Sequence, residues 1–524
     1  MLERRVVSPR KPRMPHAVTA LSTARSGPAC RAVALVLGLL ALAACDDSNT
    51  LLIDPPPPPE PEFLPVAVPA VEAPPAIGEP VLISTSFDLA SQGYVQEEFF
   101  LSGTASAFSN LNELGSDGFW EVEPAATADY RTRVLVYRPD DAADFSGTAV
   151  VEWLNVTNGF DVPAGWGVGH VEALRRGHAW INVTAQRVGI EGAEDPVLPL
   201  NLLAADPERY ASLAHPGDSF SYDIFTQVTA AIRAGEGGIL GDLQADVVLA
   251  TGESQSASRL LTYINAIQPL YNAYDGFIVD SRYDSSQPLA QEPQVAIPAP
   301  ERVLFRDDLE TPVINFQAET DVIALGAVDE RQPDSAFFRL WEVTGSAHND
   351  NYQLVSGRDD VGVGAGKAVV VENDLILGVF ACERPINSGP YPWVYMAALN
   401  ALEHWVRSGE PAAEAERMAV TDDQGDFRYD AVGNVLGGLR TPYVDAPAAR
   451  LSGELNVGRV GCRLSGTTAL FDAATMASRY VDREGYRTAV ADAADAAVAA
   501  GHLLSEDAER IKAAADLQWD ALSP

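Results

Sequence analysis

Lysine is nearly absent from most of this sequence, and acidic residues greatly outnumber basic ones. Beyond residue 44 the only lysines are Lys367 and Lys512. Residues 1–44 hold seven of the 36 basic residues and one of the 73 acidic residues, so the remaining chain carries 29 basic and 72 acidic residues, a net charge of −43. Such a charge repels phosphate backbones and anionic lipid. The composition therefore argues against nucleic-acid binding, and it disfavours strongly anionic substrates unless a local basic patch intervenes.

Histidine is also scarce, with seven residues scattered along the chain and no HExxH or His-x-His run. The sequence therefore offers no typical metal-ligand spacing, and we predict neither a bound metal nor another cofactor. Hydrophobic residues make up 47% and charged residues 21% of the chain. These fractions are typical of a folded globular protein and argue against disorder for most of the sequence.

Cysteine is the third scarce residue. Only Cys382 and Cys462 remain once Cys30, near the N-terminus, and Cys45, discussed below, are set aside. Two remaining cysteines in an exported chain favour one disulfide bond. The alternative is a pair of free buried thiols.

The N-terminal region has the pattern of an export signal. Seven arginine or lysine residues precede an apolar run at residues 32–44, which ends at Cys45. In a helix this run would span about 20 Å, less than the hydrocarbon core of a bilayer at about 30 Å, so it predicts a signal peptide and not a membrane span. Residues 42–45, LAAC, resemble a bacterial lipobox, which implies cleavage before Cys45 and lipid attachment to its thiol. A plain secretory signal with an incidental cysteine is the alternative.

These features predict an exported bacterial lipoprotein at the cell envelope, on the periplasmic face of the inner or outer membrane. Contact with the membrane is expected through the lipid alone. The prolines that follow favour an extended backbone and predict a tether over residues 45–80. We expect an α/β domain over residues 81–470, of which 409–470 is a loop-rich extension packed on the rest, and a helical segment over residues 471–524.

Between residues 130 and 350, apolar β-branched runs alternate with helical stretches, the pattern of a mostly parallel sheet flanked by helices. Runs such as VVEWL and VINF are almost continuously apolar, as strands buried on both faces should be. The segments LISTSFDL and EFFLSGTAS are expected to add strands at one sheet edge. Helices are predicted at Tyr222–Ala234, Gln255–Ile267, Val394–Ser408 and roughly Tyr480–Leu522. Strands are predicted at Thr132–Tyr137, Thr148–Leu154, Ala179–Ala185, Ala245–Ala250, Gly276–Val279, Pro312–Phe316 and Phe338–Val343.

The most informative segment is ADVVLATGESQS, residues 245–256, which predicts a buried strand, a tight turn and the start of a helix. Its Gly-Glu-Ser-Gln-Ser resembles the nucleophile elbow Gly-x-Ser-x-Gly, with Ser256 in place of the second glycine. The turn exposes the hydroxyl of Ser254 at the helix N-terminus. There the N–H of Gln255 and the helix dipole can stabilise an oxyanion. The alternative is a serine N-cap on an ordinary strand-to-helix turn.

A nucleophilic serine needs a neighbouring base that is itself oriented by an acid. In chains with this elbow, the acid follows a later strand and the histidine follows the last strand. Here Asp321 follows the run PVINF, with Glu319 as the alternative acid and Asp280 as the third choice. His348 follows the predicted last strand. The other histidines lie in the leader, before the nucleophile or in helical patterns, and His215 is expected to be structural.

A second oxyanion donor is expected from the loop after VVEWL. Asn155 or Val156 occupies the position where such a donor is usually found, although the sequence has no His-Gly-Gly-Gly motif. Trp153 and Trp166 are candidates for lining an apolar pocket, with core packing as the alternative for Trp153.

The sequence as a whole resembles the bacterial "alpha/beta hydrolase domain" proteins, a group within the α/β-hydrolase superfamily. The resemblance covers roughly residues 80–470 and implies the α/β-hydrolase fold, a Ser254–Asp321–His348 triad and a hydrolase. It implies little about the substrate. The matching segments are VVEWLNVTNG, INVTAQRVG, HPGDSFSYDIFTQ, GESQSASRL, YDGFIVDSR, QAETDV, RQPDSAFFRLWEVTGSAH and GNVLGGLRTPYVDAP, followed by Cys462.

We therefore expect a serine hydrolase acting outside the cytoplasm on a small-molecule substrate, with carboxylic esters as the first choice. Amides, lactones and thioesters are alternatives, because the same triad cleaves them. A catalytically silent binding or structural lipoprotein on a hydrolase scaffold is the alternative from a different class. The sequence does not predict an oligomeric state.

Overall fold

A mixed sheet of nine strands, counted within the described residues, forms the centre of the protein. The computed structural model describes residues 62–523, apart from residues 195, 197, 236, 377, 379 and 459. The predictions for the signal peptide, Cys45 and the first part of the tether lie outside the described residues. The strands are β1 (Ala70–Glu72), β2 (Tyr94–Asn110), β3 (Val122–Pro139), β4 (Thr148–Trp153), β5 (Ala179–Val183), β6 (Val247–Glu253), β7 (Gly276–Asp280), β8 (Val313–Ala318) and β9 (Phe338–Val343).

The strands lie in the order β1-β2-β3-β5-β4-β6-β7-β8-β9. The first three strands are antiparallel, and β3 also pairs antiparallel with β5. From β5 to β9 every neighbouring pair is parallel. The predicted fold class, a mostly parallel sheet of the α/β-hydrolase type flanked by helices, is confirmed.

Helices cover both faces of the sheet. The α-helices are α1 (Ala164–Arg176), α2 (Arg187–Glu191), α3 (Leu202–Ala205), α4 (Ser221–Arg233), α5 (Gln255–Thr262), α6 (Gln268–Tyr271), α7 (Tyr391–Ser408), α8 (Pro442–Asp445), α9 (Val460–Arg463), α10 (Ala473–Tyr480), α11 (Arg483–Ala499) and α12 (Ser505–Leu522). A π-helical stretch, Tyr263–Ile267, joins α5 to α6.

Each central strand contributes to two hydrophobic cores, because successive side chains point to opposite faces. In β4, Val151 belongs to the core that α4 and α5 cover, whereas Val150 belongs to the core that α1 and α7 cover. In β6, Ala250 and Leu249 divide in the same way. This burial on both faces explains the continuously apolar runs in the sequence.

The predicted strands between residues 130 and 350 correspond to β3–β9, with shifts at their ends. The predicted helices correspond to α4, to α5 with its π-helical continuation, and to α7. EFFLSGTAS lies within β2, as predicted, but the prediction of a strand at LISTSFDL is wrong. The backbone of that segment bonds to a turn far along the chain: Ser86 N–H donates to the carbonyl of Arg358 at 2.7 Å.

The sheet also extends further towards the N-terminus than predicted. Ala70–Glu72 lies inside the stretch expected to be a tether, yet it pairs with Phe100–Ser102 of β2 as the edge strand β1. Prolines flank this short strand without interrupting it. The proline-rich composition therefore did not indicate that three residues pair with β2. The chain from Glu62 onwards forms one compact unit, and therefore the boundary near residue 81 is too late.

The C-terminal helices pack on the main domain. Their side chains form a third core with residues of α1 and α7, in which Val490 and Ile511 lie with Val171 and Trp393. Arg175 of α1 also forms an ion pair with Asp507 of α12 at 2.8 Å. The helices of this segment begin at Ala473 and end at Leu522.

The loop-rich stretch 409–470 contacts the sheet edge. Leu439 forms a parallel bridge with Val343 of β9. Two small hairpins lie in or next to this stretch: β10 (Leu375–Ile376) with β11 (Phe380–Ala381), and β12 (Ala449–Ser452) with β13 (Thr467–Leu470). Cys382 and Cys462 form a disulfide bond that closes a separation of 80 residues. Among the described residues, no helix is both long and apolar enough to cross a bilayer.

Removing this disulfide will destabilise the folded protein, because the bond restricts the unfolded chain over 80 residues. We expect the double variant Cys382→Ser/Cys462→Ser to lose about 2–4 kcal/mol of unfolding free energy. Urea unfolding followed by tryptophan fluorescence measures this loss. A reducing agent should bring the wild type to the same midpoint and leave the variant unchanged; a wild type indifferent to reduction would contradict the prediction.

Candidate active site

The turn between β6 and α5 holds Ser254 in a strained backbone conformation, with φ 59° and ψ −114°. Residues other than glycine rarely adopt this region, and such strain concentrates at functional sites. Strand and helix approach so closely that a Cβ atom added to Gly252 would lie 3.0 Å from the Cβ of Ser256. The turn therefore needs glycine at 252 and a small residue at 256, so serine replaces the second glycine of the motif without opening the turn.

His348 connects Ser254 and Asp321 through its two ring nitrogens. Nε2 lies 2.9 Å from Ser254 Oγ, and Nδ1 lies 2.6 Å from Asp321 Oδ1. The other carboxylate oxygen of Asp321 accepts the backbone N–H of Ala318 at 2.6 Å. The three residues follow β6, β8 and β9, and the carboxyl ends of parallel strands lie at one edge of a sheet. The structure thus brings together the three side chains predicted as a triad.

The two alternative acids have other partners. Glu319 accepts the backbone N–H groups of Gly345 at 2.7 Å and Gly453 at 2.8 Å, and burial raises the pKa of its carboxyl to about 7. Asp280 accepts a hydrogen bond from the Tyr391 hydroxyl, and burial raises its pKa well above the usual range. The acid bonded to the histidine is therefore Asp321, while Glu319 fixes the loop that precedes His348.

Glu253 is a site residue that sequence reasoning missed. Its Oε1 lies 3.1 Å from His348 Nε2, so that this nitrogen faces a carboxylate as well as the serine hydroxyl. Its Oε2 accepts a hydrogen bond from Asn155 Nδ2 at 3.0 Å. Glu253 occupies the variable position before the serine in the elbow motif, and no pattern in the sequence marks it.

The carboxylates around His348 control its protonation. Burial by itself lowers the pKa of the imidazole, because it removes water from the charged form. The ion pair and hydrogen bond with Asp321, together with the charges of Glu253 and Asp280, outweigh burial and raise this pKa to about 9. Burial also raises the pKa of Glu253 to about 7, against the opposing charge of His348. The site therefore favours the protonated imidazole.

One of the two predicted oxyanion donors is available in this structure. The backbone N–H of Gln255, at the N-terminus of α5, finds no hydrogen-bond acceptor among the described residues. The prediction for Asn155 is wrong for its backbone, because its N–H donates to the carbonyl of Val162 at 3.1 Å in a short antiparallel bridge. Its side chain instead positions Glu253. The alternative named with it, Val156, keeps a backbone N–H without an acceptor in the described part of the chain.

A cavity of about 210 Å³ opens at Ser254 and His348. Apolar side chains form much of its wall, and these include Ile83, Phe160, Val162, Trp166, Leu354 and Leu464. Trp166 lines this cavity as predicted, whereas Trp153 is buried in the core and its Nε1 donates to Gln186 at 3.1 Å. His215 lies outside the cavity wall, where its Nε2 lies 3.0 Å from the Ala185 carbonyl oxygen. Within the described residues, no cluster of His, Cys, Asp or Glu could hold a metal ion.

The family model described as "Alpha/beta hydrolase domain" matches residues 66–513. Solved structures with similarity include acetyl xylan esterase 1 from Thermoanaerobacterium sp., at 9% identity and TM-score 0.20, covering 34% of this chain and 53% of that one. A glucuronoyl esterase from Solibacter usitatus has 11% identity and TM-score 0.21, covering 42% of this chain and 57% of that one.

A hyperthermophilic esterase from Pyrobaculum calidifontis is similar at 12% identity and TM-score 0.22, covering 48% of this chain and 77% of that one. The chain thus spans about half of the length of the acetyl xylan esterase. No curated protein matches the sequence.

Glu253→Gln should lower the pKa of the His348 imidazole from about 9. The variant removes a negative charge 3.1 Å from Nε2. Because this charge stabilises the imidazolium, we expect the pKa of His348 to fall by at least about one unit. NMR titration of the histidine resonances, assigned with a His348→Gln variant, measures the change. Glu454→Gln is the matched control, because it removes one exposed carboxylate that pairs with Arg384. Equal His348 pKa values in wild type and Glu253→Gln would contradict the electrostatic role of Glu253.

Proposed function

The chain belongs to the alpha/beta hydrolase domain family, and from this membership we propose that it is a serine hydrolase that cleaves carboxylic esters. The observation that carries the proposal is the hydrogen-bonded series from Ser254 through His348 to Asp321 at the floor of an apolar cavity. A scaffold kept only for binding would not need a strained serine bonded to an imidazole and a carboxylate. This geometry therefore argues against the catalytically silent alternative.

In the proposed reaction, Ser254 Oγ attacks the ester carbonyl while His348 Nε2 takes the serine proton, a step that requires the neutral imidazole. Because the pKa of this imidazole is raised to about 9, the neutral fraction and with it the rate should increase as the pH rises towards that value. Asp321 holds the imidazole in place through Nδ1, and its charge stabilises the imidazolium that forms. The oxyanion develops near the free N–H of Gln255, where the N-terminus of α5 adds a favourable dipole. His348 then returns the proton to the leaving alkoxide, and water hydrolyses the acyl-enzyme by the same steps.

The cavity favours an ester over a peptide. A peptide segment brings several N–H and carbonyl groups, each of which costs free energy when it is buried without a partner. The walls of this cavity are largely apolar, with Phe160, Trp166 and Leu464 among their residues. An ester has no N–H to satisfy, so its acyl or alcohol part fits these walls at a lower desolvation cost.

Replacement of the triad side chains tests the proposal. In the full-length protein solubilised in detergent, Ser254→Ala should abolish labelling by a fluorophosphonate and lower kcat on p-nitrophenyl esters at least about a thousandfold. Asp321→Asn should lower kcat by a similar order, because it removes the charge that orients and stabilises the imidazolium. Glu319→Gln is the matched control: this carboxyl bonds to Gly345 and Gly453 and not to His348, so we expect a much smaller loss.

Two outcomes would contradict the assignment of the triad. Equal labelling and turnover in wild type and folded Ser254→Ala would show that the nucleophile lies elsewhere. A larger loss in Glu319→Gln than in Asp321→Asn would exchange the roles of the two acids. Circular dichroism of each variant separates a loss of chemistry from a loss of folding.

We also propose that the protein acts at the cell envelope, attached through lipid at Cys45, as the leader and its LAAC sequence predict. Metabolic labelling with radioactive palmitate in a bacterial host tests this location. The label should be incorporated into wild type and lost in Cys45→Ser. Cys30→Ser is the matched control, because Cys30 lies in the leader that is removed, and this variant should remain labelled. Label retained in Cys45→Ser would contradict the lipid anchor.

A further inference from the structure

Arg358 is a cationic side chain on the wall of the cavity that holds Ser254. The other ionisable residues described on this wall are Glu253 and His348, and they bond to each other. Arg358 has no such partner: its Nε donates to the carbonyl of Ser84 at 2.9 Å. Its two terminal nitrogens make no hydrogen bond and no ion pair with any described residue. The guanidinium therefore offers two terminal NH₂ groups beside the cavity that have no acceptor among the described residues.

An unpaired arginine is unusual in a chain this acidic. Most other buried arginines have carboxylate partners, as in Arg133 with Asp161 at 2.8 Å and Arg282 with Glu330 at 2.7 Å. Arg339 is an exception, and its guanidinium donates to backbone carbonyls instead. With 73 acidic and 36 basic residues in the sequence, partners are plentiful. Because Arg358 has no carboxylate partner, its positive charge is free to pair with a negative charge on the substrate at the proposed reaction site.

The position of Arg358 is fixed by its backbone and its Nε. Ser86 donates to the Arg358 carbonyl through its backbone N–H at 2.7 Å and through its Oγ at 3.3 Å. Together with the bond from Nε to Ser84, these contacts hold both ends of the residue against the segment at 84–86. A guanidinium held in this way needs little further ordering when it binds an anion, which strengthens such binding.

Arg358 lies where two cavities meet. A second cavity of about 460 Å³ is lined by Ile83, Leu354, Val355, Arg358 and Gly378. Ile83, Leu354 and Arg358 line both cavities. A substrate whose ester lies at Ser254 and whose chain continues into the second cavity would pass between two apolar side chains and the guanidinium.

We propose that Arg358 binds an ionised carboxylate on the substrate, so that the enzyme prefers esters that carry a second, free carboxylic acid. The inference rests on the ester hydrolase activity proposed above. A planar guanidinium pairs with a carboxylate through two parallel N–H···O bonds, and Arg358 has two terminal nitrogens to give. One arginine matches the single charge of a carboxylate, whereas a phosphate dianion would need more positive charge than this wall supplies. In a protein whose overall charge repels anions, the arginine is the local exception that makes such a substrate acceptable.

Matched pairs of esters test this preference in the full-length protein. The acidic probes are the monoethyl esters of succinate, glutarate and adipate, and the neutral probes are ethyl butanoate, pentanoate and hexanoate of the same acyl lengths. For at least one length, wild type should show a higher kcat/KM on the acidic ester. Arg358→Gln should lower the ratio of acidic to neutral kcat/KM at least about tenfold, mainly through KM. Arg358→Lys should lie between the two, because it keeps the charge but loses the planar pair of donors.

Arg487→Gln on α11 is the matched control, since it removes one positive charge from an exposed residue that does not line either cavity. It should keep the wild-type ratio. The inference is overturned if Arg358→Gln also keeps that ratio, or if wild type prefers the neutral ester at every length.

Binding to Ser254→Ala separates this inference from the proposed activity. By calorimetry, the best acidic ester should bind Ser254→Ala at least about tenfold more tightly than the Ser254→Ala/Arg358→Gln double variant. Such a difference without any turnover by wild type would support the carboxylate site and refute ester hydrolysis. Equal binding to both variants would refute the carboxylate site, and turnover by wild type would then leave the hydrolase in place with a different substrate class.

Discussion

The ion pair between His348 and Asp321 is the contact on which the candidate site depends. Both side chains are buried, and burying a charge costs several kcal/mol unless a partner and hydrogen bonds compensate for the lost water. Here one carboxylate oxygen of Asp321 bonds to His348 Nδ1, and the other accepts the backbone N–H of Ala318. The fixed ring then presents Nε2 to Ser254. Two further carboxyl groups, Glu253 and Asp280, lie close by; burial raises the pKa of each, and the charge of the imidazolium opposes that rise.

The loops of the C-terminal part hold this arrangement from outside the sheet. Glu319 links the loop after β9 to Gly453, and the Asn349 N–H donates to the Leu464 carbonyl at 3.2 Å. Leu464 also lines the cavity and lies two residues from the disulfide at Cys462. The stretch that looks irregular in the sequence therefore forms a wall of the site and fixes the residue next to His348.

Much of the fold and of the candidate site could be predicted because its signals are local. Continuous apolar runs reveal strands buried on both faces, and the order of Ser254, Asp321 and His348 follows from the order of the strands that carry them. The features that sequence reasoning missed depend on distant contacts. Ser86 and Arg358 are 272 residues apart, so the segment LISTSFDL reads as a strand although its partner is a turn. Glu253 stands at a position where the motif allows any residue, and the bridge from Asn155 to Val162 cannot be seen in composition.

Helix α12, near the C-terminus, holds in place the part of the cavity wall that contains Arg358. Arg510 on this helix forms two hydrogen bonds with the carboxylate of Asp360, at 2.9 and 2.8 Å, across 150 residues of sequence. Asp360 lies two residues from Arg358, and its carbonyl oxygen also contacts His170 Nε2 at 2.9 Å. During synthesis, Ser254, Asp321 and His348 therefore leave the ribosome well before Arg510, which fixes the part of the cavity wall around Arg358. The residue that fixes the wall around Arg358 thus comes later in the chain than every residue of the Ser254–Asp321–His348 series.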